Sequence, residues 1–245
     1  DADLGILELS CGAWAVSIAV APNGAFALVT DGGGETGPIA SIDLTTFTLT
    51  TTYYCESGST QAVAVAADNQ TAVAVDFWGS QIIYGVFDPA SGFVSEHTLS
   101  AGSGPINVAI SPDGQTVLVT NAWDNSVSVY AITAPGTLVA GTPVSGLPTN
   151  PQSVVFSPDG THAFVLSTSC WDEVSVLNVS GPGSVTLSGA GVATLTPFCG
   201  SSYFGVDQMD VSPDGSTLVI GDGGGDSGGE IRTNGVAPAT AVAMV

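Results

Sequence analysis

Three aspartates stand at matching places in the chain, Asp31, Asp76 and Asp222, each just past or at the end of a short apolar run. Asn121 and Ser167 take the same place after two other runs. Two of the five lead into glycine-rich segments, Asp31-Gly-Gly-Gly-Glu35 and Asp222-Gly-Gly-Gly-Asp226. Carboxylates gathered on glycine backbone suit a hard cation that takes roughly 6–8 oxygen ligands, Ca2+ above all. Asp31, Glu35, Asp76, Asp222 and Asp226 are therefore the candidate metal ligands, and calcium is the candidate cofactor. Their spacing fits no EF-hand loop. Asp and Gly also make ordinary loops and strand ends, which is the simpler account.

Tryptophans recur close by. Trp78, Trp123 and Trp171 each fall within four residues of Asp76, Asn121 and Ser167. With Asn121, Asp124 and Asp172 beside them they could stack on a sugar or another flat ligand. Their structural role would be to wedge between layers of the fold, where an indole buries much area and its N–H finds a carbonyl. The repetition favours the wedge for at least two of the three.

Other chemistry is poorly supplied. The four cysteines, Cys11, Cys55, Cys170 and Cys199, form no C-x-x-C and give little support for zinc. Their even number fits disulfides in an exported chain, and their places suggest Cys11–Cys55 and Cys170–Cys199. A reactive thiol would need a base or cation nearby, and no Lys, Arg or His adjoins them. His97 and His162 fall away from the aspartate and tryptophan positions, so no Ser-His-Asp or Cys-His set is evident. The glycine-rich 221–229 segment precedes no helix and is no phosphate cradle. Catalysis is not expected, although two carboxylates of a glycosidase could come only from Asp31, Asp76 and Asp222.

Composition narrows the partners. The chain has 245 residues, 22 Asp and Glu, and one base, Arg232, for a formal net charge of -21. Phosphate binding needs Lys or Arg to displace counterions, so nucleic acid is excluded as a partner. Docking on an anionic membrane is equally disfavoured. No apolar run reaches the ~18 residues of a membrane helix, so no membrane insertion is expected. With 44% hydrophobic residues the chain does not resemble a disordered acidic segment.

The elements that must position these residues come from a repeat. Ala-Pro-Asn-Gly at 21–24, Ala-Ala-Asp-Asn at 66–69, and Ser-Pro-Asp-Gly at 111–114, 157–160 and 212–215 recur at steps of 45, 45, 46 and 55. Each tetrad lies between two alternating apolar runs and has the residues of a tight hairpin turn. Four such runs per ~45 residues mark a propeller blade. The chain is thus expected to be all-β, a five-bladed β-propeller of four-stranded antiparallel blades. The blades run over about 14–54, 61–99, 106–143, 151–194 and 206–245. The N-terminal strand, about 4–10, is expected to join the last blade and close the ring, which removes an open sheet edge. The aspartate positions would then ring the mouth of the central channel.

The third unit carries a family resemblance. Leu118-Val119-Thr120-Asn121-Ala122-Trp123-Asp124-Asn125-Ser126-Val127-Ser128-Val129 resembles the YVTN β-propeller repeat, with its Tyr-Val-Thr-Asn strand end, polar loop and Val-Ser-Val strand. The fourth and fifth units match in part and the first two in pattern. The resemblance implies a secreted or surface propeller of bacterial or archaeal origin and no single reaction. Five units, where larger relatives often have seven, depart from the family. The expected function is an exported, extracellular, non-enzymatic structural or adhesive module, able to self-associate into a layer or filament. Binding of a glycan or small ligand through the tryptophan rim, and a calcium-dependent hydrolase, are the alternatives.

Overall fold

The computed structural model describes residues 15–32, 37–54, 59–168, 173–188, 193–194, 208–221, 231–234 and 242–244. Among them every regular element is a strand and none is a helix. The strands form five antiparallel sheets, each following chain order. The first holds β1 (Ala15–Val20), β2 (Phe26–Asp31), β3 (Pro38–Asp43) and β4 (Thr48–Tyr54). The second holds β5 (Thr60–Val65), β6 (Thr71–Asp76), β7 (Gln81–Asp88) and β8 (Gly92–Ser100). The third holds β9 (Pro105–Ile110), β10 (Thr116–Asn121), β11 (Ser126–Ala134) and β12 (Thr137–Ala140). The fourth holds β13 (Pro151–Phe156), β14 (His162–Ser167), β15 (Glu173–Gly181) and β16 (Ser184–Leu187), with β17 (Ala193–Thr194) paired to β15. The fifth holds β18 (Gln208–Val211), β19 (Leu218–Gly221), β20 (Ile231–Asn234) and β21 (Val242–Met244).

The repeated tetrads are the turns between the first two strands of each sheet. Gly24, Gly114, Gly160 and Gly215 have φ of 69, 72, 70 and 71°, and Asn69 fills the same place at 60°. That left-handed conformation suits Gly and is tolerated by Asn. The turn aspartates fasten it. Asp113, Asp159 and Asp214 each accept the backbone N–H two residues on at 3.0 Å. They also accept the hydroxyls of Ser111, Ser157 and Ser212. The same serine oxygens then accept the N–H of Thr116, His162 and Thr217.

The core lies between sheets. β2, β6 and β10 are buried at every position, because both of their faces are covered. This explains their nearly unbroken apolar sequences. Leu28, Ile39, Val63 and Ile83 share the layer between the first and second sheets. Val75, Ile82, Val117 and Tyr130 share the next. Leu118, Val129, Val154 and Leu177 fill the third, and Leu166, Val174, Met209 and Ile220 the fourth. The Tyr130 hydroxyl donates to the Ser100 carbonyl at 2.8 Å, and burial pushes its pKa up to about 12. Innermost strands neighbour one another in order: β1 with β5, β5 with β9, β9 with β13, β13 with β18.

The expected closing strand, about 4–10, lies outside the described residues. The outermost described strand of the fifth sheet is β21, paired to β20 with Arg232 opposite Met244.

Candidate functional site

The loop between the second and third strands carries the aromatic residues. In the second sheet it reads Phe77-Trp78-Gly79-Ser80, and in the third Ala122-Trp123-Asp124-Asn125. The two loops share one conformation, with Ser80 and Asn125 at φ of 50 and 56°. Trp78 and Trp123 therefore leave adjacent sheets in the same direction and meet. Their ring centroids are 5.6 Å apart at 64°. Phe77 stands edge-on to both, 5.0 Å from Trp78 and 4.7 Å from Trp123. Yet Trp78 is 67% and Trp123 57% exposed. These two are not wedges between sheets, as the repetition had suggested. The interlayer space is already filled by strand side chains, so the indoles rest on the rim.

The rim is built firmly. Trp123 lies over the backbone of Gly104, where an added Cβ would come within 3.0 Å of the indole. Gly104 has a φ of 65°. Its carbonyl accepts the Ala122 N–H, and the Ser103 carbonyl accepts the Trp123 N–H. Asp124 accepts the Ser103 N–H at 2.8 Å and the Ser126 hydroxyl at 2.6 Å. Its carboxylate is thus engaged in holding the loop beside the indole.

Of the five positions expected to ring a channel mouth, the four among the described residues, Asp31, Asp76, Asn121 and Ser167, are buried. Asp76 and Asn121 are 0% exposed and Asp31 7%. Asp76 accepts the Gly79 N–H and the Gln81 side-chain N–H, both at 3.0 Å. Asn121 donates to Ser126 and Ser128 at 2.9 and 3.0 Å and accepts from the Gly102 N–H. They anchor the loops from beneath. A polar residue that ends a strand serves the following turn first, which a linear spacing does not reveal.

Among the described residues no group of three or more His, Cys, Asp or Glu could hold a metal. Glu35, Asp222 and Asp226, the rest of the candidate ligands, lie outside the described residues, as do Trp171 and Asp172. So do Cys11, Cys55, Cys170 and Cys199. His97 stacks obliquely near Tyr84, with centroids 5.6 Å apart, and His162 contacts the Thr161 hydroxyl through Nδ1 at 2.8 Å. Phe77 was not foreseen as a site residue. Only the aromatic pair Phe77-Trp78 in its loop signalled it.

Solved structures share this architecture. The chain superposes on Kuenenia stuttgartiensis hydrazine synthase with a TM-score of 0.74 and 15% identity, over 98% of this chain and 69% of that one. A functionally unknown protein from Desulfotomaculum acetoxidans gives 0.74 and 21%, over 98% and 71%. A protein from Lactobacillus plantarum gives 0.75 and 18%, over 98% and 72%. At these identities the likeness shows the fold alone, and that fold is propeller-like. No family model matches the chain, and no curated protein does.

Proposed function

We propose that this chain is a propeller of the YVTN-repeat kind that works by contact rather than by catalysis, as an exported structural or adhesive module. The observation that supports it is the Phe77, Trp78 and Trp123 cluster. It is large, aromatic and exposed, and it rests on loops held by hydrogen bonds. The carboxylate beside Trp123, that of Asp124, is engaged by Ser103 and Ser126. A rigid aromatic platform suits stacking on a surface polymer, such as a glycan, at little entropic cost.

Five blades are the reading of the five sheets. Closure of those five into one ring by the segment about 4–10 is one way to finish the fold. The test of the contact role is a glycan screen with the labelled full chain beside the Trp78→Ala/Trp123→Ala double variant. Binding that the double variant loses while still unfolding cooperatively on heating supports the role. Equal binding by both proteins sinks it.

A further inference from the structure

Counting from the turn tetrads, Ile18, Val63, Val108, Val154 and Met209 occupy one position on the innermost strands of the five sheets. Four of them are covered by the preceding sheet and are 4, 8, 2 and 4% exposed in that order. Ile18 is 64% exposed. Two residues on, Val20 is 55% exposed, while its counterpart Phe156 is at 7%. Among the described residues, the innermost strand of the first sheet therefore presents the apolar positions of a sheet-to-sheet interface without a preceding sheet on them. Ala27 and Val29, on β2, are buried, so the open patch is the inner strand. That is where successive sheets approach each other most closely.

The fifth sheet shows the other half. Leu28, Val73, Leu118 and Phe164 occupy one position on the second strands, and all are buried against the sheet that follows. Their counterpart Val219 is only half-buried. No substantial contact joins any of β18–β21 to any of β1–β4 among the described residues.

A specific hydrogen bond marks how such faces join. The Asn107 side-chain oxygen accepts the N–H of Val154 at 3.2 Å, from the third sheet to the fourth. The Ser153 hydroxyl accepts the N–H of Met209 at 3.2 Å, from the fourth to the fifth. Gln208 stands at the same place as Asn107 and Ser153, five residues before the proline of its turn, and its side chain is exposed. The N–H that matches Val154 and Met209 is that of Ile18.

We propose that a second copy of this chain docks head to tail, the fifth sheet of one copy covering Ile18 and Val20 of the next while its Gln208 side-chain oxygen accepts the Ile18 N–H. The contact continues an interface the fold already uses four times. It is heterologous, so it propagates to an open assembly unless the rotation closes it. The net charge of -21 opposes it, so added salt strengthens it. It extends the contact-module reading but does not use the tryptophan rim.

Light scattering and sedimentation of the full chain across concentration and salt test it. The expected result is mass that grows with concentration and with salt. Ile18→Asp/Val20→Asp should be monomeric, and Gln208→Ala should need about tenfold more protein to associate. Trp78→Ala/Trp123→Ala should associate as the parent does, so loss of the rim function and loss of assembly are separable. Should the β1 double variant fail to fold, the exposed Gln208→Ala change decides alone. A parent chain that stays monomeric at all concentrations overturns the proposal and favours closure within one molecule. Association that survives both sets of changes also overturns it.

Discussion

Trp78 and Trp123 sit 5.6 Å apart although 45 positions separate them in the chain, because each occupies the same place in an identical loop of adjacent sheets. Two indoles at 64° and this separation couple their transitions. The chain should show an exciton couplet in circular dichroism, and either Trp78→Ala or Trp123→Ala alone should abolish it. Both are exposed, so each change should cost little stability, on the order of 1 kcal/mol or less. A couplet that persists in either single variant would contradict the pairing.

Gly104 supports that pair from below. An alanine there must adopt a φ of 65° and place its Cβ 3.0 Å from the Trp123 ring. Gly104→Ala should destabilise the fold by roughly 1–3 kcal/mol in denaturant unfolding and shift the tryptophan emission. Gly146, also at positive φ but with open space around it, is the control: Gly146→Ala should leave the emission unchanged.

The fourth sheet lacks an anchor that the third has. Asn121 reaches Ser128 at 3.0 Å, but at the matching places Ser167 and Ser175 are both buried without a hydrogen-bond partner. Serine is one carbonyl group too short. Ser175→Ala removes an unsatisfied hydroxyl and should be neutral or slightly stabilising in thermal unfolding. Asn121→Ala, by contrast, strands several buried partners and should cost about 1–3 kcal/mol. Equal losses from the two changes would refute the comparison.

Acid should loosen the hairpin turns. Hydrogen bonds from Ser157 and Ser212 hold the Asp159 and Asp214 carboxyls down at about 2, against the usual 3.8. A depressed folded pKa stabilises the fold above the unfolded value. That contribution is lost as pH falls from about 3.8 through about 2. Asp159→Asn/Asp214→Asn should therefore flatten the fall in unfolding midpoint over this window. Glu96 acts with the opposite sign, since burial raises its pKa. Its contribution favours the fold at low pH and fades as pH rises through the raised value, so Glu96→Gln should help near neutrality.

The hairpin tetrads were legible because a tight turn is local. Gly114 or Asn69 needs only its neighbours to require φ > 0. The alternating runs likewise announce strands, since side-chain direction follows from the pleat alone. The candidate site was legible only in part. Trp78 and Trp123 stand out in the sequence both as a ligand-stacking rim and as wedges between layers, and Asp76 and Asn121 as a channel ring. Their real roles depend on how full the layers between sheets already are and on which loop N–H groups wait beneath the rim.

The amino-acid sequence by itself determined the strands, the turns, the repeat of about 45 residues and the net charge of -21. Those follow from residue type, local dihedral preference and charge. Tertiary structure alone decided that Trp78 meets Trp123, that Asp76 is buried, and that Val154 borrows an acceptor from Asn107 while Ile18 stands open. Such relations arise from lateral stacking of sheets, which joins residues some 45 positions apart and leaves no mark in the spacing within any one unit.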